Sequence, residues 1–187
     1  MMPNSETVDE RILSLLREGG SSAERGFRLL LEQYQERLYW QIRRMVFDHE
    51  DANDVLQNCF IKVYRSSHTF EGKSKLYTWL YRIATNEAIT FLNKKKQRLA
   101  TPLDAGESPL ANRLRADDHF DGDEAQLKLL AAIETLPEKQ RLVFNLRYFD
   151  EMNYADMSEL LGTSEGALKA SFHHAVKKVE AFVRRSD

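Results

Sequence analysis

Apolar side chains recur at three- and four-residue spacing along most of the chain, and this is the period of an amphipathic helix. The longest such run comprises Phe27, Leu30, Leu31, Tyr34, Leu38, Ile42 and Met45. It predicts one long helix with a single buried stripe. Only 8 glycines and 4 prolines occur in 187 residues, which argues against a sandwich or barrel built on tight turns. The sequence therefore predicts an all-α fold.

Shorter helices flank this run in the first half of the chain. Residues 8–16 have the same helical spacing and predict a short helix that Gly19–Gly20 ends. Asp48 is a suitable N-cap for the next helix, whose apolar stripe includes Cys59. We therefore expect the Cys59 thiol to pack in the core rather than to react. A further helix is predicted over residues 76–91.

The second half of the chain predicts four more helical stretches. Pro137 is suited to the start of one of them, because its missing N–H has no partner there anyway. Asn153 is a suitable cap for a short helix that ends before Gly162, where a left-handed turn is expected. Either Thr163 or Ser164 then caps the final helix.

Residues 99–124, LATPLDAGESPLANRLRADDHFDGDE, have no sustained helical period and separate the two groups of helices. They carry 2 basic and 7 acidic side chains, whereas residues 1–98 carry 16 and 13 and residues 125–187 carry 9 and 9. We therefore predict two small helical domains, 1–98 and 125–187, joined by a flexible acidic linker. Because the acid is concentrated in the linker, the net charge of −2 says little about either domain.

Several classes of protein are disfavoured by what the sequence lacks. A single cysteine allows no internal disulfide, which fits a reducing, cytoplasmic location. No secretory signal and no run of about 18 apolar residues is present, so we expect no membrane insertion. No phosphate loop, nucleophile motif or metal-ligand spacing appears, and the adjacent His173 and His174 point about 100° apart on a helix. We expect no catalytic residue, no metal and no cofactor.

A short helix, a turn containing glycine and a longer capped helix form the pattern of a helix-turn-helix. The segment NYADMSELLGTSEGALKASFHHAVKKVE, with LPEKQRLVFNLRYFDEM before it, resembles region 4 of bacterial RNA polymerase sigma factors. Earlier, DHEDANDVLQNCFIKVYR and FEGKSKLYTWLYRIATNEAITFLNKKK resemble sigma region 2. The order of these blocks and the short chain resemble the extracytoplasmic-function (ECF) subgroup. The resemblance implies a non-enzymatic protein that binds core RNA polymerase, directs it to particular promoters and helps to melt them.

The resemblance also implies roles for particular residues in region 2. The helix of residues 51–64 is similar to the one that docks on the largest polymerase subunit. Its outward polar positions are Asp51, Asp54, Gln57 and Asn58, although an ordinary solvated face would look the same. The element that opens the downstream promoter hexamer is expected to use Phe70, Lys73, Lys75, Tyr77, Arg82 and Asn86. Which of the aromatic side chains between residues 70 and 81 belong to the core stays open, with Trp79 expected to be partly buried.

In region 4 the final helix is expected to enter the major groove at the upstream promoter element. The groove-side positions are Ser164, Ala167, Lys169, Ala170, His173, His174 and Lys177. The family usually has more polar or basic residues at several of these positions, so the strength of upstream binding is open. One alternative for His173 is packing against Tyr148 or Phe149.

Further partners follow from the resemblance alone. An anti-sigma protein is expected to hold the free chain, and the acidic linker is expected to thread toward the polymerase active-site cleft. The main rival interpretation is a stand-alone helix-turn-helix repressor or activator with a ligand-sensing N-terminal half, and an enzyme is the second. No dimerisation helix, ligand pocket or catalytic motif in the sequence supports either of them.

Overall fold

The computed structural model of the chain describes residues 5–99 and 123–185, and it folds these residues into helices. Their bounds are α1 Ser5–Glu18, α2 Gly20–Val46, α3 His49–Ser66, α4 Leu76–Leu99, α5 Glu124–Glu134, α6 Glu138–Tyr148, α7 Tyr154–Leu161 and α8 Glu165–Arg185. A short 3₁₀ turn, Ser67–Thr69, follows α3. The all-α fold is confirmed for the described residues. Residues 100–122 of the predicted linker lie outside them.

The helix ends predicted at Asp48, Asn153 and Gly162 are confirmed, whereas Pro137, with ψ of 142°, is the N-cap that precedes α6 and not its first helical residue. The Asp51 N–H donates to Asp48 Oδ1 at 2.9 Å, which caps α3. Asn153 Oδ1 accepts from the backbone N–H of Asp156 at 2.9 Å, which caps α7. Gly162 ends α7 with φ of 62°, the left-handed conformation that glycine adopts without steric cost. Each of these devices satisfies a backbone group that the helix itself leaves unpaired.

Helix α2 begins at Gly20, about two turns before the apolar run from which it was predicted. Gly19 and Gly20 both have positive φ and turn the chain sharply between α1 and α2. Gly26 lies where α1 and α2 pack tightly, since a Cβ there would be 2.8 Å from the Leu15 Cβ. The small residue at this position lets α1 pack along the first part of α2.

Helices α1 to α4 form the N-terminal half, and all four contribute side chains to one buried core. Leu30, Val55 and Leu80 are almost completely buried, and so is Cys59. Burial raises the pKa of the Cys59 thiol to about 12, and the nearby Glu87 adds to the effect. The core position predicted for this cysteine is confirmed, and its thiol is held in the protonated form at neutral pH. Gln41 is also buried, and its Nε2 donates to Thr85 Oγ1 at 2.6 Å.

The C-terminal half, α5 to α8, packs around Ile133, Phe144 and Ala175. The rings of Phe144 and Phe172 stack with centroids 5.7 Å apart. The opposite side of this half does not close on itself. Its Leu146, Met157 and other apolar residues join the same buried cluster as the N-terminal half, so the two halves pack against each other.

Candidate nucleic-acid interface

The predicted groove-side residues of the final helix lie together on one exposed face. Every one of them is exposed: Ser164, Ala167, Lys169, Ala170, His173, His174 and Lys177. The opposite side of α8 is buried through Leu168 and Ala175. Ser164 Oγ accepts from the Ala167 N–H at 3.4 Å, a long cap bond at the helix start. The geometry is that of a recognition helix presenting one side to a groove about 12 Å wide.

The two histidines on this face are both exposed. His173 and His174 have ring centroids 6.1 Å apart. The packing that the sequence left open for His173 is made instead by its neighbour Phe172, which stacks on Phe144. Both imidazoles are thus available to a DNA backbone. Tyr148, 53% exposed, stacks on Phe144 with ring centroids 5.1 Å apart.

Lys169, the basic groove-side residue, already has partners on the surface of the helix-turn-helix. Its ammonium nitrogen lies 3.6 Å from Glu165 on the preceding turn. The same nitrogen is 5.5 Å from the centre of the Tyr154 ring. Exposed pairs of this kind are weak, so they orient Lys169 without preventing a phosphate contact.

The predicted single-strand face at the start of α4 is contacted by the C-terminal half. The Tyr77 hydroxyl donates to Asp156 Oδ2, and the Lys75 ammonium lies 3.2 Å from the same oxygen. Burial alone would raise the pKa of Asp156. The hydrogen bonds from Tyr77, Lys75 and Asn153, with the Lys75 charge, outweigh burial and hold that pKa below its usual value. Burial and the bond to Asp156 raise the pKa of Tyr77 to about 12.

Further along α4, Arg82 and Asn86 lie one turn apart and so share a side of the helix. An Arg82 guanidinium nitrogen donates to the backbone carbonyl of Glu159 at 2.9 Å and lies 3.7 Å from the Glu159 carboxylate. Asn86 is exposed, and its backbone carbonyl accepts from Thr90 Oγ1 at 2.7 Å. An exposed amide can both donate to and accept from a base edge.

The loop before α4 divides its predicted residues between core and surface. Phe70 is only 8% exposed, and its ring centroid lies 4.9 Å from that of the partly buried Trp79. Tyr81 is buried as well. Lys73 is exposed and pairs with Glu71. Two tyrosines of this segment nevertheless reach the C-terminal half, since the Tyr77 hydroxyl donates to Asp156 Oδ2 and the Tyr81 hydroxyl donates to Asp150 Oδ1 at 3.4 Å.

The predicted polymerase face of α3 is polar and open to solvent. Asp54, Gln57 and Asn58 are exposed, with the apolar Val55 and Cys59 on the opposite side. Asp51 is half-buried, and its carboxylate lies 3.1 Å from Lys95 of α4. The face presents one unburied acid and two amides to a partner.

The sequence matches two family models, and these cover most of the described chain. Sigma-70 region 2 matches residues 30–98, and sigma-70 region 4 matches residues 126–179. The RNA polymerase sigma-H factor of Pseudomonas aeruginosa is 31% identical over 184 residues, 94% of either chain. The ECF RNA polymerase sigma-E factor of Haemophilus influenzae is 30% identical over 94% of this chain and 95% of its own. The chain belongs to the ECF group of RNA polymerase sigma factors.

Solved structures have the same fold at lower sequence identity. CnrH, in complex with the cytosolic domain of CnrY, is 19% identical with a TM-score of 0.73, and the match covers 96% of this chain and 99% of CnrH. RpoE of Bartonella quintana, in complex with the anti-sigma factor NepR, is 19% identical with a TM-score of 0.68 over 84% of this chain and 96% of its own. In both cases the similarity is in the fold, that is, in the arrangement of the helices.

As an ECF sigma factor, the chain directs RNA polymerase to promoters to initiate transcription, and it has no enzymatic activity of its own. Its partners are core RNA polymerase and promoter DNA. Family membership decides against both the stand-alone repressor and the enzyme. Among the described residues, none of the helices is both long and apolar enough to cross a membrane. The described residues also contain no group of three or more histidine, cysteine, aspartate or glutamate side chains that could hold a metal ion.

The acidic residues of region 4 that contact region 2 were missed by sequence reasoning. Asp150 lies 2.7 Å from the Arg44 guanidinium, and Asp156 accepts from Tyr77. Asp150 lies about one turn before α7, and Asp156 lies in its first turn. Acidic side chains are common near the start of a helix, so neither residue is unusual in the sequence. No local pattern distinguishes such an acid from one that pairs with a helix 79 residues away.

Proposed function

We propose that this sigma factor melts the downstream promoter element with the start of α4 and contacts the upstream element with α8. The observation that carries the proposal is the row of side chains along α4, in which Arg82 and the exposed Asn86 follow Lys75 on one side of the helix. Cations along such a row hold the backbone of a single strand, and the amide reads a base edge. In the same segment the buried Phe70 packs against the partly buried Trp79.

The remaining assignments of the sequence belong to the same proposal. Residues 1–98 form the region 2 domain, residues 99–124 form the linker, and residues 125–187 form the region 4 domain. The exposed face of α3 docks on the polymerase through Asp51, Asp54, Gln57 and Asn58. The protein works in the cytoplasm, and an anti-sigma protein holds it when it is not in use. The complexes of CnrH with CnrY and of RpoE with NepR support such a partner.

Replacing Asn86 tests the melting role directly. Asn86→Ala should slow open-complex formation by about tenfold, because the amide can make two hydrogen bonds to a base edge, each worth about 0.5–1.5 kcal/mol. Permanganate reactivity of promoter thymines, measured with core polymerase, reports the opening. The matched control is Gln35→Ala, which removes an exposed amide from α2 and should leave opening unchanged.

A promoter with a pre-melted bubble separates melting from other defects. The bubble should restore transcription by Asn86→Ala to near the wild-type level. A defect of equal size on the bubble promoter would remove Asn86 from the melting step and overturn the proposal.

A further inference from the structure

The loop that leads into α4, residues 70–75, lies close to α1. Phe70 belongs to the same buried cluster as Leu16 of α1, and α1 also contacts the 3₁₀ turn that precedes the loop. The lysines of the loop are not part of this core, since the side chains of Lys73 and Lys75 are 85% and 63% exposed. Helix α1 thus supports a loop whose cations are open to solvent.

Arg17 of α1 lies directly beside this loop. Gly72 has φ of 73°, a left-handed conformation that glycine adopts without steric cost. A Cβ built at this glycine would be 3.5 Å from a guanidinium nitrogen of Arg17. Leu16 is buried in the core, whereas Arg17 is exposed. An arginine that α1 holds in place is therefore available at the surface of the loop.

Arg17 adds a third cation to a loop that already carries two. Lys73 pairs with Glu71, and the Lys75 ammonium lies 3.2 Å from the carboxylate of Asp156. In the part of the chain that the structure describes, Arg17 has no carboxylate partner of this kind. Its planar guanidinium can donate two hydrogen bonds to one phosphate. Of the three cations, it is the one that can bind a phosphate without first leaving an acid.

We propose that Arg17 is a DNA-binding residue of this sigma factor, and that its guanidinium holds one phosphate of the melted strand beside loop 70–75. This inference rests on the proposed assignment of the start of α4 to the downstream element. Asn86 lies about 15 Å along α4 from Leu76, at about 1.5 Å per residue. Arg17 and Asn86 therefore hold the strand at two separate points, one on its backbone and one on a base.

Replacing Arg17 in the full chain, assembled with core polymerase, tests the contact. Arg17→Ala should shorten the lifetime of the open complex by about tenfold, because hydrogen bonds to charged groups are among the stronger ones. The lifetime is measured after addition of a heparin competitor. Its log–log dependence on salt should become less steep by about 0.7, the value for one phosphate of a single strand. Arg17→Lys keeps the charge and should keep this slope.

The matched control is Arg11→Ala, which removes another exposed arginine of α1. Arg11 lies six residues earlier, about 120° away around the helix, and it should leave both the lifetime and the slope at wild-type values. Urea denaturation of the free chain should give the same midpoint for Arg17→Ala, Arg11→Ala and the wild type. A shortened lifetime with a lowered midpoint and an unchanged salt slope would assign Arg17 to the support of the loop and overturn the phosphate contact.

Promoters with a single neutral methylphosphonate in the melted segment identify the phosphate. When the replacement is moved one position at a time, it should shorten the wild-type lifetime at one phosphate on the loop side of the base that Asn86 contacts. At that position it should have no further effect on Arg17→Ala. If the effects of the methylphosphonate and of Arg17→Ala are independent at every position, Arg17 binds no phosphate of this strand and the proposal is overturned.

Asn86→Ala, measured on the same promoters, separates this inference from the proposed function. If Asn86→Ala slows opening while Arg17→Ala behaves as Arg11→Ala does, α4 keeps its role and only the contact of Arg17 is overturned. If neither variant changes the formation or the lifetime of the open complex, both proposals are overturned. If Arg17→Ala weakens binding to a fully duplex promoter fragment by the same factor, Arg17 contacts duplex DNA and its assignment to the melted strand is wrong.

Discussion

The two surfaces of this sigma factor that we propose for DNA binding differ in one structure: one is open and the other is covered. In region 4, the groove side of α8 is open along its length from Ser164 to Lys177. In region 2, the row at the start of α4 is engaged through Tyr77 and Arg82 with α7 and its neighbours. Region 4 therefore covers the surface that we propose for melted DNA and leaves open the one that we propose for duplex DNA.

The orientation of the helix-turn-helix explains why only one of these two surfaces is covered. Its first helix, α7, faces region 2 and contributes Asp156 and Glu159 to that contact. Its second helix, α8, faces away and carries lysine and histidine on its exposed side. Because α7 and α8 meet at the left-handed Gly162, the helix-turn-helix has acidic side chains on the side of region 2 and basic side chains on its exposed side.

The largest expected effect is on polymerase affinity, and it concerns a third surface, the exposed face of α3 in region 2. Asp54→Lys should weaken binding to core polymerase by about 2–5 kcal/mol, since a charge that is buried and paired at an interface is costly to reverse. Titration of labelled core polymerase measures the affinity. The free energy of unfolding should change by less than about 0.5 kcal/mol, because Asp54 is a surface residue.

Glu36→Lys is the control for this variant, since Glu36 is an exposed acid on α2. It should bind core polymerase as the wild type does. Equal affinities of Asp54→Lys and the wild type would move the docking surface away from α3.

An effect of intermediate size contrasts the two helices of the helix-turn-helix. Asn153 caps α7 at 2.9 Å and also donates to Asp156 at 2.8 Å, whereas the Ser164 bond that caps α8 is 3.4 Å long. Asn153→Ala should therefore lower the free energy of unfolding by about 1–2 kcal/mol, and Ser164→Ala by about 0.5 kcal/mol. Urea denaturation of the full chain compares them. Equal losses, or a larger loss for Ser164→Ala, would contradict this ranking.

The smallest effect concerns the open face of region 4. Imidazoles gain a proton as the pH falls from about 8 to about 6, and a DNA phosphate favours the charged form. Binding of the full chain to upstream duplex DNA should therefore strengthen several-fold over this range. Each added phosphate contact should steepen the log–log salt dependence by about 0.9. His174→Arg should bind more tightly at pH 8 and lose most of the pH effect.

Fluorescence anisotropy at several pH values and salt concentrations provides this measurement. The double variant with alanine at His173 and His174 is the control for other titrating groups. If the wild type and this control show the same pH profile, neither histidine contacts the backbone.

Features that depend on local chemistry were predictable from the sequence, and features that depend on distant contacts were not. The caps Asp48 and Asn153 and the turn at Gly162 were predicted correctly, because each involves residues at most three or four positions apart. The start of α2 was placed too late, since residues 20–26 are helical without an apolar stripe. The partners of Arg44 lie up to 106 positions away in the sequence, and no periodicity predicts such a pair.

The tight packing of α1 on α2 bears on how sigma regions can be exchanged between proteins. The sigma-70 region 2 match begins at residue 30, but Ile12 and Leu16 belong to the same buried core as Leu30. The Tyr34 hydroxyl donates to Asp9 at 2.6 Å across the same contact. A chimera joined at residue 30 would discard half of that contact and leave its apolar remainder facing water. The transferable module therefore starts with α1.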